Sequence, residues 1–324
     1  MAAGLIDSGQ ADRIEAFEAA RVDREPPATQ AAPVTRRVPV IAEAVGYVGV
    51  AIVLVAGLLA AEPAWPHWST GLRLTLIAAV TVALAVAGAA VPAGRDPVWR
   101  RLRGVAWVLS VVGLALFAAG LADWVWHLSD QHVGLVTAGA ATAYSLVLWL
   151  RHAVVPQHLA LFVAVTSFTG VVIAEPGVPS WWPGIGVWLV SATWLIAGSR
   201  GWLRPAAAAL PVAGVGMLVG SELVIDAAES RSQEAVIAIG FLLAFAAVGG
   251  LLGAGIRLHR IGPLVVSAVG ILYFLPEAAR RYLPGSFAIP VAVFAVGTLL
   301  VALAVRLARW RTGHPSAGER GVQG

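Results

Sequence analysis

The sequence contains no cysteine and no lysine, and only 12% of its 324 residues are charged. The absence of cysteine excludes disulfides, thiolate metal sites and cysteine nucleophiles. Hydrophobic residues make up 59% of the chain, which is too apolar for water to cover it as a globule. We therefore expect a lipid bilayer to be the solvent of most of the chain.

Signatures of soluble enzymes are absent as well. The HExxH, GxSxG, Walker A and GxGxxG patterns do not occur in the context that each requires. The 22 basic residues, all arginine, lie at the ends of apolar stretches and not on one basic face, which is typical of membrane topology. The sequence thus predicts no catalytic residue, no cofactor, no metal ion and no nucleic-acid partner.

Long apolar runs fill most of the chain. A hydrocarbon core of about 30 Å needs about 20 apolar residues per helix. The sequence therefore predicts an all-α, polytopic transmembrane bundle of about ten spans, and eight or nine if the short fifth, sixth and ninth do not cross. The predicted spans are residues 38–61, 74–91, 104–121, 133–150, 158–173, 182–198, 206–224, 235–256, 261–275 and 287–307.

A short amphipathic helix is predicted ahead of the spans, at residues 7–20. Asp7 can cap it, Gln10 follows three residues later, and Ala11, Ile14 and Phe17 share one face. That face either lies on the membrane or on cytosolic loops, or docks a protein partner. The predicted organisation is a cytosolic helix and proline-rich tether over residues 1–37, a multi-pass domain over 38–309 and a disordered cytosolic tail over 310–324.

The arginines predict the orientation of the chain. Eighteen fall on one side of the predicted spans, against Arg73, Arg231, Arg280 and Arg281 on the other. Because basic loops stay in the cytoplasm, we expect both termini to be cytoplasmic in a bacterial inner membrane, and no cleaved signal peptide. Acidic residues favour the outer face, namely Glu62, Asp123, Asp130, Glu175, Glu222, Asp226, Glu229, Glu234 and Glu277.

The cytoplasmic turns recur at similar spacing. Arg103, Arg151, Arg204 and Arg257 lie 48, 53 and 53 residues apart. This rhythm is consistent with duplicated helical hairpins. Uniform helix length together with the arginine bias also produces it, so both interpretations stay open.

Three segments resemble a known bacterial membrane family. They are GLIDSGQADRIEAFE at residues 4–18, AEAVGYVGVAIVLVAGLLAA at 42–61 and VFAVGTLLVALAVRLAR at 293–309. The chain resembles domain of unknown function 2157, in which a short soluble helix precedes a glycine-rich first span. The resemblance implies a bacterial multi-pass protein and no catalytic residue. Arginine without lysine and abundant alanine, valine and glycine suggest an actinobacterial type of genome.

Glu43 and Tyr47 are the first candidate site. Glu43 lies inside the first predicted span, and Tyr47 follows one turn later on the same face. Acids within a membrane span are functional candidates, so the pair is predicted to bind a cation or relay protons. Alternatively, Glu43 is a structural residue that the helix dipole favours and that pairs with Arg37 or with a neighbouring loop arginine.

An outer loop supplies weaker candidates. Asp123 and His127 are four residues apart, and Asp130 and His132 follow. These residue types can bind a divalent cation, whereas interfacial anchoring by tryptophan and histidine explains them more simply.

Small and hydroxyl residues suggest helix contacts. Gly216 with Gly220 and Gly249 with Gly253 form small-xxx-small steps, which predict close helix packing within the chain or in an oligomer. Hydroxyl residues are concentrated in the fourth and fifth spans, where they either line a polar path or bond to their own helices. They are Thr137, Thr142, Tyr144, Ser145, Thr166, Ser167 and Thr169.

Three functions are compatible with these features. The leading prediction is a non-enzymatic membrane protein that moves or holds a small or lipidic molecule. The second is a cell-envelope scaffold or assembly partner that docks through the N-terminal helix. The third is an intramembrane enzyme acting on lipid or glycan, which requires acids or histidines that converge in one pocket.

Overall fold

The computed structural model describes residues 7–22, 63, 65–91, 97–283, 294 and 297–298. It divides into two units, residues 1–67 with 303–324 and residues 68–302. The first unit contains α1, and α2 to α9 lie in the second. The helices are α1 Ser8–Val22, α2 Thr70–Ala90, α3 Pro97–Gly120, α4 Asp130–Arg151, α5 Val155–Ile173, α6 Trp182–Ser199, α7 Ala206–Glu229, α8 Glu234–Leu258 and α9 Ile261–Tyr282.

Seven of these helices are long and apolar enough to cross a membrane: α2, α3 with the turn that follows it, α4, α5, α7, α8 and α9. The chain is therefore a helical, multi-pass membrane protein, as the sequence predicts. The remaining helix of the second unit, α6, is not among the seven. It has only 18 residues, and three of them are tryptophans, which lower its mean hydropathy.

The structure does not confirm the predicted count of about ten spans. The second to ninth predicted spans coincide with α2 to α9, whereas the first and tenth lie outside the described residues except for positions 294, 297 and 298. The ninth span is longer than predicted, because the helix continues through Pro276 to Tyr282. The residues that extend the helix include charged side chains, and their low hydropathy made the predicted span end too early.

The N-terminal helix has the predicted cap. The Gln10 backbone N–H donates to Asp7 Oδ1 at 2.8 Å, and the Asp7 N–H donates to Gln10 Oε1 at 3.2 Å. These reciprocal bonds satisfy N–H groups that the first turn leaves without a partner. Phe17 on the predicted apolar face is 70% exposed. Within the described part of this unit, Phe17 is therefore accessible to a membrane or a protein partner.

The helices of the second unit pack in chain order. In addition, α3 contacts α5, α5 contacts α7 and α7 contacts α9, so alternate helices form a continuous row. Short turns make neighbouring helices antiparallel, and the four helices of the row therefore run in the same direction. This regular packing matches the spacing of the arginine turns, although it does not decide between duplication and uniform helix length.

Glycine allows the closest helix contact, between α6 and α7. A Cβ atom on Gly220 would lie 2.8 Å from the carbonyl oxygen of Gly184, and one on Gly184 would lie 2.8 Å from that of Gly220. The two backbones therefore touch directly, as membrane helices with small residues do. Next to this contact, α7, α8 and α9 share an apolar core of Ile225, Ala228, Ile237, Phe241, Ala244 and Phe274.

Candidate functional site

Charged residues tie three helix ends together at one end of the bundle. Arg281 of α9 pairs with Glu229 of α7 at 2.6 Å and with Glu234 of α8 at 2.9 Å. Arg280 pairs with Glu277 one turn earlier in α9. We call this the acidic end, and the opposite end, which carries Arg103, Arg151, Arg204 and Arg257, the arginine end.

A carboxylate and a phenol meet below the acidic end. The Tyr273 hydroxyl of α9 donates to Glu222 Oε1 of α7 at 2.8 Å. Glu222 lies seven residues before the last residue of α7, about 10 Å along the axis at about 1.5 Å per residue. The bond thus joins two candidate membrane-spanning helices well inside their ends. An ionisable group at such a depth is costly and is a functional candidate.

Further acids connect this pair with the acidic end. Glu222, Asp226 and Glu229 follow each other at intervals of four and three residues and therefore line one side of α7. On α9, Tyr273, Glu277 and Arg281 are spaced four residues apart. The bonds from Tyr273 to Glu222 and from Arg281 to Glu229 place these two rows side by side. We call the two rows the carboxylate ladder.

The ladder is spread along the helices and does not converge on one point. Among the described residues, no group of three or more histidines, aspartates or glutamates could hold a metal ion. Acids separated by one helical turn can instead accept and release protons or weakly held cations one after another. The arrangement therefore suits transfer along the helices better than chelation.

The first predicted pair, Glu43 and Tyr47, lies outside the described residues. Of the outer-loop candidates, Asp123 belongs to a π-helical turn, Leu121–Val125, and His127 has a φ of 51°. The helical interval of four residues is therefore broken between them. Asp130 begins α4, and His132 Nδ1 lies 2.7 Å from Ser129 Oγ. No three of these four candidates form a group that could bind a metal ion.

The predicted glycine steps have different surroundings. A Cβ on Gly216 would collide with Phe162 and Ser191, and one on Gly220 would lie 2.7 Å from the backbone nitrogen of Trp188. In contrast, a Cβ on Gly249 or Gly253 would meet no described residue within 4 Å. The first step therefore mediates contacts within the chain, whereas the second lies on a face of α8 that the described residues leave open.

The hydroxyl-rich helices also differ from each other. In α5, Thr166 donates to the Phe162 carbonyl and Thr169 to the Val165 carbonyl, both at 2.9 Å and both within the helix. In α4, the hydroxyl oxygens of Thr137, Thr142 and Ser145 are buried and have no hydrogen-bond partner among the described residues. The space that Ser145 lines together with Trp107 and Gln157 is too narrow for a water molecule. The described residues therefore show no water-filled path at Ser145.

The Glu222–Tyr273 pair is what sequence reasoning missed. Glu222 lies within the seventh predicted span, so an acid inside a span was a usable signal. Its partner is 51 residues away. Only the packing of α7 against α9 brings the two together, and no local pattern of the sequence predicts that contact.

Comparison with known proteins identifies no relative: no family model, no curated protein and no solved structure matches the chain. The resemblance to domain of unknown function 2157 therefore stays a prediction. Any functional assignment has to rest on the described residues themselves.

Proposed function

We propose that this membrane protein moves or holds a small or lipidic molecule without catalysing a reaction, and that Glu222 and Tyr273 bind a proton or a monovalent cation. The observation that carries the proposal is the 2.8 Å hydrogen bond between them within two candidate membrane helices. Outside a membrane, a tyrosine–glutamate bond is unremarkable. Within one, the cost of a carboxylate demands a compensating role.

The pair can exist in two protonation states. When Glu222 is ionised, Tyr273 donates to it, as the structure has it. When Glu222 is protonated, its own hydroxyl can donate to the phenol oxygen or to another acceptor. The bond therefore supports uptake and release of a proton, and a monovalent cation can replace that proton against the carboxylate.

The carboxylate ladder gives this site a connection to the acidic end. Asp226 is exposed and lies one turn beyond Glu222, and Glu229 follows one turn later at the ion pair with Arg281. Negative charge along this side of α7 attracts cations toward the pair. At the acidic end of the ladder, Arg281 pairs with Glu229 and Glu234 and so links α7, α8 and α9.

Thermal unfolding and proton flux test the proposal on the same protein. The detergent-purified full chain is heated with sodium, potassium, lipids and metabolites at two pH values, and a reconstituted sample is assayed with a pH-sensitive dye. Binding at 100 times Kd stabilises the native state by about 2.7 kcal/mol. We expect Glu222→Gln to abolish both the ligand-dependent shift and the flux, and Tyr273→Phe to weaken them.

Glu175→Gln is the matched control, since Glu175 is an exposed glutamate in the turn between α5 and α6. It should leave both readouts at the wild-type level. Unchanged flux and unchanged ligand shifts in Glu222→Gln would refute a role for this pair. If Glu43→Gln alone abolishes them, the site is the first predicted pair.

A second candidate function, an envelope scaffold, is favoured by the capped helix α1 with its exposed Phe17. An amphipathic helix can bind a membrane surface or a partner groove through its apolar face. We expect deletion of residues 7–20 to remove specific partners from crosslinked pull-downs, and Phe17→Asp to do the same. Recovery of the same partners without the helix would contradict docking through α1.

A further inference from the structure

A group of hydrogen-bond donors lies at the arginine end of α3, α4 and α5. The guanidinium carbon of Arg103 is 4.3 Å from the centre of the Trp107 ring, and Arg103 Nη2 is 3.3 Å from His152 Nδ1. Arginine can only donate, so His152 Nδ1 accepts, and the imidazole carries its proton on Nε2. The rings of Trp107 and His152 stack with centres 4.2 Å apart. Apart from the His152 Nδ1 that accepts from Arg103, the side-chain polar groups of this cluster are therefore N–H donors.

Arg103 has no counter-ion among the residues that the structure describes. No carboxylate in the described ranges lies within ion-pair distance of it, and its buried Nε has no hydrogen-bond partner. At the acidic end, by contrast, Arg281 has two carboxylates. A half-buried cation with an unsatisfied N–H is costly, because desolvation is not offset by a partner. An anion from outside the chain would supply the missing acceptor.

The first turn of α5 adds to the same region. The helix begins at Val155, and no side chain caps it. A Cβ on Gly104 would lie 2.8 Å from Pro156, and Gln157 Nε2 donates weakly to the Gly104 carbonyl at 3.4 Å. The uncapped helix start thus packs beside the residue that follows Arg103. Helix N-termini favour negative charge through their dipole and free N–H groups, which Val155 and Gln157 supply here because Pro156 has none.

The surroundings of His152 make its pKa sensitive to a nearby anion. Burial lowers the pKa of His152, and the positive charges of Arg103 and Arg151 lower it further. No acid acts on its ring among the described neighbours. A bound anion would offset these arginine charges and bring the pKa back up, which provides a direct readout of occupancy.

We propose that Arg103, His152 and the first turn of α5 bind a phosphate-type oxyanion, carried by a lipid headgroup or free in solution. Guanidinium and imidazole N–H groups match the acceptor oxygens of a phosphate, and such charge-assisted bonds are about twice as strong as neutral ones. The site lies at the end of candidate membrane helices, where headgroups are found. It is separate from the Glu222–Tyr273 pair and does not depend on the function proposed for that pair.

Thermal unfolding of the detergent-purified full chain tests the site, with phosphatidylglycerol, phosphatidylcholine or inorganic phosphate added. We expect phosphatidylglycerol to raise the Tm and phosphatidylcholine not to. Arg103→Gln should weaken the apparent affinity for phosphatidylglycerol about tenfold or more. If inorganic phosphate alone gives the full shift, the ligand is free phosphate. If only phosphatidylglycerol does, it is a lipid headgroup.

Arg200→Gln is the matched control. Arg200 also lies at the arginine end over a tryptophan, 5.2 Å from the ring centre of Trp202, but it is exposed in the turn between α6 and α7. Arg200→Gln should show the same phosphatidylglycerol-dependent rise in Tm as the wild type. An undiminished shift in Arg103→Gln, or an equal loss in Arg200→Gln, would overturn the proposal in favour of diffuse attraction to a basic face.

Histidine NMR of the wild type keeps the test valid if Arg103→Gln does not fold. The His152 signal is assigned through its loss in His152→Gln, and its pKa is measured with and without phosphatidylglycerol or phosphate. We expect the anion that binds to raise the pKa of His152 and to leave the exposed His132 unchanged. If neither anion moves the His152 titration, the site does not exist.

Discussion

Arg281 joins three helix ends through two ion pairs. It lies at the end of α9 and holds carboxylates from the ends of α7 and α8. Its side chain is 25% exposed, whereas that of its neighbour Arg280 is 68% exposed and pairs only within its own helix. A pair between helices restrains their packing, and a pair within one helix does not. We therefore expect Arg281 to contribute more to the stability of the fold than Arg280.

Arg281→Gln should lower the Tm of the purified protein by about 2–4 °C, a shift typical of losing a modest interaction in a domain of this size. Arg280→Gln should have little effect, because an exposed pair of this spacing contributes little. Differential scanning measurements at low and high salt check the cause. The Arg281→Gln effect should shrink at high salt, since screening weakens the pairs in the wild type.

The result that would contradict this account is an Arg280→Gln effect as large as that of Arg281→Gln. It would mean that the net charge at the acidic end matters and the contacts between helices do not. An Arg281→Gln effect that stays constant from low to high salt would point instead to lost packing of the arginine stem.

The helices themselves were largely predictable from the sequence. Apolar length and arginine-bearing turns are local signals, and they place α2 to α9 with few errors beyond their ends. Where the prediction stops early, as at Pro276 in α9, the helix is completed by charged residues that pair across helices. Contacts such as that between Tyr273 and Glu222 depend on which helix packs on which. Local pattern carries no information about that choice.

The two glycine steps illustrate the same limit at the level of helix faces. Both are small-xxx-small patterns in apolar helices, and the sequence does not distinguish them. The structure places Gly220 of α7 against the backbone of α6, whereas Gly253 of α8 has open space beside it. Identical motifs therefore have different roles according to the neighbour that packs against them.

Gly220→Ala and Gly253→Ala should consequently have different effects on stability. The added methyl at Gly220 would lie 2.7 Å from the Trp188 backbone nitrogen, and backbone cannot move aside as a side chain can. We expect a loss of about 1–3 kcal/mol or a failure to fold. At Gly253 the same change should be neutral or stabilise by about 0.5–1 kcal/mol, since glycine disfavours helix.

Thermal unfolding in detergent checks this pair of variants, with size-exclusion chromatography as a control for oligomeric state. Strong destabilisation by Gly253→Ala, together with a change in elution volume, would show that the open face of α8 is covered by another copy or another segment. Tolerance of Gly220→Ala would contradict the close contact between α6 and α7.

At the scale of the whole molecule, the charges separate along the helix axes. The turn between α4 and α5 contacts the start of α3, and Trp149 near the end of α4 donates to the Arg204 carbonyl before α7, so these basic turns share one end. The ends of α7 and α9 meet the start of α8 at the other, through carboxylates. Basic turns are retained in the cytoplasm, and we therefore expect the arginine end to face it.

The absence of cysteine makes this orientation directly measurable, since a single introduced cysteine has no competing thiol. Ser230 follows α7 at the acidic end, and Ser199 ends α6 at the arginine end. Both are exposed, and the hydroxyl of each donates to a carbonyl of the helix that it ends. A membrane-impermeant maleimide should label Ser230→Cys in intact cells. It should label Ser199→Cys only after permeabilisation. The reverse pattern would place the arginine end outside, and the carboxylate ladder would then open toward the cytoplasm.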